Sequence, residues 1–342
     1  MDQGHRARGC AAPDGRAAAD AAASIVQRAP AKLNLSLAVL ARRPDGYHDI
    51  ESLMVPVTLS DTLRVRHSAT PGIRLQVRFG GRLAAGPGSR LARDVPADAS
   101  NLVVRAAQAL ADEAGIEAGL DIDLVKEIPS GAGLGGGSSD AAAVLMAAAR
   151  LWNVDWPGAR LAELGARIGS DVPWFFAGGP AIATGRGEAV TPVAELPPLP
   201  VVIACPATGL STAAVYSACT PDPSLRGTAA RLAAALAGGD LQGGLPSMTN
   251  SLEAPARSLC PDVDELLGEM SRCGAFAPRL TGSGSACFAL ARTMSEARGI
   301  AARLAALPGS AGPRWPAVFV VRMVGRATAA PCQEPVGMAA TT

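Results

Sequence analysis

Residues 129–151 read PSGAGLGGGSSDAAAVLMAAARL: five glycines fall within seven positions, and an alanine-rich run follows without a break. Upstream, Leu120, Ile122 and Leu124 alternate with acidic residues in the period of a strand, and Pro129 ends that strand. The order is therefore strand, glycine loop, helix. Small residues at a helix start leave backbone N–H groups open at the positive end of the helix dipole, where phosphate oxygens are stabilised. Gly131, Gly133, Gly135, Gly136 and Gly137 permit close approach, and Ser138 and Ser139 add hydroxyl donors. The candidate nucleotide-binding residues run from Pro129 and Ser130 through Ala132 and Leu134 to Ser139. The plainer reading is a flexible loop without a ligand, although loops usually punctuate with one or two glycines.

Two known phosphate loops fit poorly. Residues 131–136 satisfy G-x-G-x-x-G, but that fingerprint also needs an acidic residue ending a second strand about 20 residues on. Here that region is Leu151-Trp152-Asn153-Val154-Asp155-Trp156-Pro157, a helix end and a turn. No G-x-x-x-x-G-K-[ST] occurs anywhere in the chain. A third kind of cradle is required.

Outward from the loop, Leu33, Leu35, Leu37 and Val39 alternate with Lys32, Asn34 and Ser36, predicting a half-buried strand with Lys32 and Asn34 on its polar face. Pro44-Asp45-Gly46 marks a turn, and further strands over 62–66 and 73–79 give an antiparallel-looking region. Asn101 can cap a helix that stops at Gly115. Helices follow over 140–151 and 159–168. Four prolines between 192 and 200 mark a linker, after which Val201-Val202-Ile203 opens a second half. That half carries helices over 228–237, 262–272 and 295–307, with strands over 286–290 and 317–321. Strands and helices mix without a strict βα repeat, so the class is α+β. The expected organisation is a disordered tail over 1–24, a first domain over 25–192, a second domain over 193–327 and a flexible tail over 328–342.

Composition narrows the function. The chain has 342 residues, a formal net charge of +1 and only 4% aromatics, so no global field argues for nucleic acid or an anionic membrane surface. No window approaches 18 consecutive apolar residues, which argues against a spanning helix. The seven cysteines are scattered without a CxxC pair and read as reduced thiols, predicting a cytoplasmic protein. The three histidines, His5, His48 and His67, have no metal-ligand spacing.

Pro30-Ala31-Lys32-Leu33-Asn34-Leu35, the glycine loop, and Leu280-Thr281-Gly282-Ser283-Gly284-Ser285 resemble the three ordered motifs of the GHMP small-molecule kinases. The resemblance spans about residues 25–325. It implies a two-domain fold, with a ribosomal-S5-like N-terminal ATP domain and a ferredoxin-like C-terminal domain. ATP is then the co-substrate, with Mg2+ accompanying it and its protein ligands unassigned. Lys32 and Asp171 fall on the family's catalytic lysine and aspartate. Without the resemblance, Lys32 reads as a solvated strand residue and Asp171 as a helix N-cap before Pro173. Thr281, Gly282, Ser283 and Gly284 would close the site beside the phosphates. Asp45-Gly46-Tyr47-His48, Gly169-Ser170-Asp171-Val172-Pro173 and Gly185-Arg186-Gly187-Glu188 resemble those members whose acceptor is a small molecule carrying a cytidine diphosphate group. Asn34, Tyr47, His48 and Tyr216 are the substrate-binding candidates that this implies. The rival readings are a sister kinase for homoserine or a mevalonate derivative, and a non-catalytic relative that would have lost Lys32 or Asp171. Ser130 departs from the family, where a larger or apolar residue is common.

Overall fold

The computed structural model describes residues 24–325, apart from 69, 93, 94, 118, 310 and 311. Of the terminal segments predicted as tails only Ser24 lies within the described residues; His5, Cys10 and Cys332 lie outside them.

Two long strands, β1 (Ser24–Arg42) and β2 (His48–Ser68), pair antiparallel across the turn that contains Gly46. Register shifts interrupt the pairing between Pro30 and Lys32, Asn34 and Ser36, and Val39 and Ala41. Such irregularities bend a strand and re-aim its side chains. Three further strands of the chain's first half are β3 (Ile73–Phe79), β4 (Gly119–Lys126) and β5 (Ala181–Gly185), followed by β6 (Ala189–Pro192). The sheet runs β3-β4-β2-β5-β6, with β1 on β2. The expected antiparallel pairing holds for β1 and β2, whereas β3 pairs parallel with β4. A parallel pair requires a crossover, and the helix α1 (Leu102–Ala114) lies on it. Asn101 Oδ1 accepts from Val103 N, and Gly115 ends the helix in the left-handed region, as the sequence predicted.

Helix α2 (Gly136–Leu151) begins four residues before the expected Asp140, because the last glycines already belong to its first turn. Its alanines let it lie close against α1, β1 and the following helix α3 (Gly158–Ile168), within one apolar cluster. The hairpin β5–β6 was not foreseen, since its strands are short and rich in alanine.

The second half folds around a four-stranded sheet. Its strands are β7 (Pro200–Cys205), β8 (Phe276–Leu280), β9 (Cys287–Leu290) and β10 (Ala317–Arg322), in the order β10-β7-β9-β8 and all antiparallel. Every residue of β7 is buried, which explains its unbroken apolar run. Helices α4 (Thr212–Ser217), α5 (Thr228–Ala237), α6 (Glu253–Leu259), α7 (Pro261–Arg272) and α8 (Met294–Ala305) complete the α+β arrangement. One apolar cluster contains Leu33, Leu53 and Val55 of the first sheet with Ile203, Phe288 and Leu232 of the second half. The two halves therefore share a core. The five cysteines among the described residues are free and buried. Among the described residues no helix is long and apolar enough to cross a membrane.

A buried carboxylate pins the halves together. Glu51 of β2 accepts from Gly227 N and Ala229 N, each at 3.0 Å, at the start of α5. Glu51→Ala leaves both helix-start donors without their acceptor, which costs about 2 kcal/mol. The expected result is a lower urea midpoint with an unchanged slope, measured by circular dichroism.

Candidate active site

A cleft of about 730 Å³ opens between the halves, lined by Lys32, Asn34, Gly133, Asp171, Tyr216 and Ser283 among others. The deepest of its charges is Lys32, only 4% exposed. Alternation had suggested a solvated polar face, but the glycine loop and the third motif cover that face. Lys32 Nζ donates to Asn34 Oδ1 at 2.5 Å and to Gly133 O at 2.9 Å, and it stands 3.7 Å from Asp171 Oδ2. Burial lowers the Lys32 pKa, while the Asp171 carboxylate pulls it back up. Asn34 is held in turn: its Nδ2 donates to Ser52 Oγ at 2.8 Å, and Ser52 Oγ donates to Ser36 O at 2.6 Å. The Asn34 oxygen is thereby aimed at the ammonium.

The Asp171 side chain keeps 37% of its surface exposed, so a molecule in the cleft can reach it. It does not cap the short turn Pro173–Ala177; Val172 occupies that position, without a side-chain bond. The N-cap reading of Asp171 is therefore corrected. Gly187, in the β5–β6 turn, backs the carboxylate: a Cβ there would lie 3.6 Å from Asp171 Oδ1.

The glycine loop and the third motif interlock. Lys32 N donates to Leu134 O at 3.0 Å and Ala286 N to Ala132 O at 3.1 Å, so the loop is bonded on both sides. Gly133 has φ +78, and a Cβ on it would sit 2.3 Å from Thr281 O. Ala132 and Leu134 enter the shared core, and Ser139 is also buried. Ser130, Gly131 and Gly137 stay exposed, while Gly133, Gly135 and Ser138 are half-buried. The candidates thus divide into a core-facing set with Pro129 and Gly136 and a set open to a ligand. Thr281 Oγ1 accepts from Asn34 N at 3.0 Å, and Ser283 Oγ bonds Thr212 Oγ1 at 2.9 Å. Asn250, which sequence reasoning passed over, donates from Nδ2 to both Leu280 O and Gly282 O at 2.9 Å. An asparagine in a loop carries no signal that would have singled it out.

At the cleft mouth the His48 and Tyr216 rings meet, with centroids 5.3 Å apart and planes tilted by 33°. Tyr47 stands 53% exposed beneath Arg186, whose guanidinium carbon lies 4.9 Å from the ring centroid. Burial and the charge of Arg42 lower the His48 pKa, leaving the imidazole neutral near pH 7 with one donor and one acceptor. Burial pushes the Tyr216 hydroxyl up, and the Asp171 charge adds to that. Arg42 and Arg186 also line this cleft and were not among the sequence candidates, although the Gly185–Glu188 segment had been noticed. These substrate-binding candidates come from both halves: Tyr47 and His48 precede the predicted linker, and Tyr216 follows it.

With this geometry in view, comparison with known proteins is specific. Residues 101–179 match the GHMP kinases N terminal domain, and residues 232–308 match the GHMP kinases C terminal family. The chain is 40% identical over 281 residues to the 4-diphosphocytidyl-2-C-methyl-D-erythritol kinase of Pelotomaculum thermopropionicum, covering 82% of this chain and 93% of that one. It is 37% identical over 309 residues to the enzyme of the same name from Bacillus subtilis, covering 89% and 99%. A crystal structure of 4-(cytidine 5'-diphospho)-2C-methyl-D-erythritol kinase superposes with a TM-score of 0.70 at 37% identity, covering 87% of this chain and 99% of that one. Homoserine kinase from Cytophaga hutchinsonii gives a TM-score of 0.67 at 22% identity over 89% and 95% of the two chains, a likeness of fold alone.

Gly135, at φ +71, sits where a Cβ would fall 2.8 Å from Lys32 Cγ. Gly135→Val is expected to abolish ATP binding in calorimetry and to displace Lys32, while the fold persists by circular dichroism. Normal ATP binding by this variant would show that the loop is not the phosphate cradle.

Proposed function

Because this chain belongs to the 4-diphosphocytidyl-2-C-methyl-D-erythritol kinase family of GHMP kinases, we propose that the Lys32–Asp171 pair in its central cleft carries out the phosphoryl transfer of that family. The chain is an ATP-dependent small-molecule kinase. It transfers the γ-phosphoryl group of ATP to the 2-hydroxyl of 4-diphosphocytidyl-2-C-methyl-D-erythritol, in the non-mevalonate supply of isoprenoid precursors. The observation that carries the residue assignment is the buried ammonium of Lys32, 3.7 Å from a carboxylate that the cleft leaves open.

Phosphoryl transfer asks a protein mainly to align the attacking hydroxyl and to stabilise spreading charge. In our reading the acceptor hydroxyl donates to Asp171, which takes its proton as the oxygen attacks the γ-phosphorus and the bond to ADP breaks. Lys32 pairs with the carboxylate and faces the transferring group with positive charge. The open residues of the glycine loop hold the phosphates with backbone N–H groups, and Thr281 to Gly284 close the site from the other side. Magnesium enters as part of the ATP substrate. Among the described residues no cluster of three or more His, Cys, Asp or Glu would hold it as a resident ion.

The cytidine diphosphate group of the acceptor is placed at the mouth, with its pyrimidine against Tyr47 and Tyr216 and its edge toward His48. Arg186 and Arg42 bring positive charge to the same region, suited to a diphosphate. ATP is assigned to the 25–192 half, and the acceptor lies between it and the 193–327 half. Free buried thiols support a reducing compartment, the cytoplasm.

Lys32→Met and Asp171→Asn are each expected to lower kcat by about 10²–10⁴-fold while ATP affinity moves far less. Steady-state kinetics beside calorimetry separates the two, and unchanged turnover in either variant would remove the assignment. Because burial lowers the Lys32 pKa, turnover should fall with rising pH earlier than an ordinary lysine would allow. At the mouth, Tyr216→Ala should weaken acceptor binding by about one to two powers of ten, since base–aromatic stacking is worth about 1–3 kcal/mol. His48→Ala should narrow the preference for cytidine over uridine acceptors, because an unpaired edge contact carries discrimination. Unaltered selectivity together with unaltered affinity would remove the pyrimidine site from this end of the cleft.

A further inference from the structure

Beneath the glycine loop lies a second buried charge cluster that the reaction does not use directly. Lys126, at the end of β4, donates from Nζ to Asp61 Oδ2 of β2 and, at 2.6 Å, to Asp140 Oδ2 of α2. All three side chains are at most 4% exposed. The cluster touches both ends of the loop. On the entry side, Asp61 Oδ1 accepts from Glu127 N at 2.5 Å and Ile128 N at 2.9 Å, the two residues before Pro129. On the exit side, a Cβ on Gly136 would lie 3.2 Å from Lys126 Nζ, so the ammonium sits directly under the first residue of α2.

Hydrogen-bond accounting separates the two carboxylates. Asp61 receives three donors, two backbone N–H groups and the ammonium. Asp140 receives only the ammonium, and its Oδ1 is buried without a partner. A buried carboxylate oxygen with no donor is costly, and two ionised carboxylates on one lysine would leave a net negative charge. That charge would lie below the loop that must receive the phosphates of ATP. The charged groups acting on Asp140 are Lys126 of β4 and Asp61 of β2. The other elements packed on α2 contribute apolar side chains such as Ala29 of β1, Val103 and Ala107 of α1, and Leu164 of α3.

We propose that Asp61, Lys126 and Asp140 form a positioning clamp that fixes both ends of the glycine loop for ATP, and that the clamp binds ATP in its neutral form, with one proton held on Asp140. The inference rests on the glycine loop being the ATP cradle. Burial, with Asp61 adding and Lys126 opposing, pushes the Asp140 carboxyl up to about 8. Burial disfavours the Lys126 ammonium, but the charges of Asp140 and Asp61 outweigh it and raise its pKa. The proton therefore resides on Asp140 below about pH 8 and leaves above it. Bound phosphates favour the protonated form further, so linkage requires ATP affinity to be full below that pH and to fall as pH rises through it.

The test is calorimetric titration of ATP into the intact chain, without acceptor, at pH 7 and pH 9. The dissociation constant of the unsubstituted protein is expected to rise about three- to tenfold between the two, the factor being set by how far bound phosphates raise the Asp140 pKa. Asp140→Asn, which is neutral at both pH values and nearly isosteric, should lose that dependence. Asp61→Asn should weaken ATP binding about tenfold or more, measured well below its melting temperature, with kcat at saturating ATP and the acceptor KM little moved. A merely structural role would lower the melting temperature without this split. If Asp61→Asn does not fold, Asp140→Asn still decides the charge state, since it removes no packing volume. The same pH dependence in Asp140→Asn as in the unsubstituted protein would overturn the proton assignment, and ordinary ATP affinity in Asp61→Asn would overturn the clamp. Failure of the unsubstituted protein to bind ATP would instead remove the cradle reading and the clamp with it.

Discussion

An ammonium group taken out of water must recover its hydration from the protein, and Lys32 recovers it from parts of the chain far apart in sequence. Asn34 lies on its own strand, Gly133 O comes from the glycine loop, and Asp171 stands beyond α3. A buried charge whose partners are removed costs several kcal/mol, so these segments are coupled through one nitrogen. The coupling extends outward, since Asn34 is oriented by Ser52 and also donates its backbone N–H to Thr281. Displacing any of these groups disturbs the geometry at the others. The same partners that make burial tolerable leave the ammonium beside Asp171, so stability of the site and the reactivity we propose for it rest on one arrangement.

The cleft exists because the two sheets share a core without closing over their contact. Leu33 and Val55 from one half and Ile203 and Phe288 from the other belong to a single cluster, and Glu51 fastens α5 across the same boundary. The walls of the cleft are thereby set by packing at its base, while its mouth is built from side chains with exposed surface. Tyr47 illustrates the difference. Its ring is held from one side by Arg186 and is otherwise open, whereas Tyr216 is packed against His48 and the second core. With the phosphates and the acceptor where we propose them, one end is fixed by backbone and the other lined by rings, which suits a reaction in which the transferring group needs the tighter positioning.

Much of this was legible in the sequence because local chemistry and tertiary structure agree there. The strand, glycine loop and helix around 129–151 follow in the order read, the helix taking the last glycines into its first turn, and Asn101 and Gly115 bound α1 as capping rules require. The three motifs converge, although they lie a hundred or more residues apart. What alternation could not reveal is which polar face becomes covered. Lys32 and Asn34 look like solvated strand residues until the glycine loop and third motif are laid over them, and that covering is a long-range event. The parallel pairing of β3 with β4 was hidden for a related reason, since direction depends on the crossover and not on either strand's pattern. Asn250 and Arg186 act through geometry alone, one by bonding the third motif's carbonyls and one by lying over a ring.

The glycine loop shows why composition alone misleads about mobility. Five glycines suggest a floppy segment, and entropy does oppose ordering them. Here, however, the absence of side chains serves several separate demands. Gly131, Gly133 and Gly135 adopt positive φ. Gly133 lets Thr281 O approach, Gly135 makes room for the Lys32 stem, and Gly136 lets the Lys126 ammonium reach the base of α2. Only the outer surface of the loop is left open to a ligand. A residue with a Cβ at Gly133, Gly135 or Gly136 would meet a backbone carbonyl, the buried Lys32, or the buried lysine beneath the helix. The loop is therefore specified from below by two lysines and from the side by the third motif. In the phosphate cradle we propose, rigidity of this kind aims backbone N–H groups before the nucleotide arrives, so less ordering remains to be done on binding.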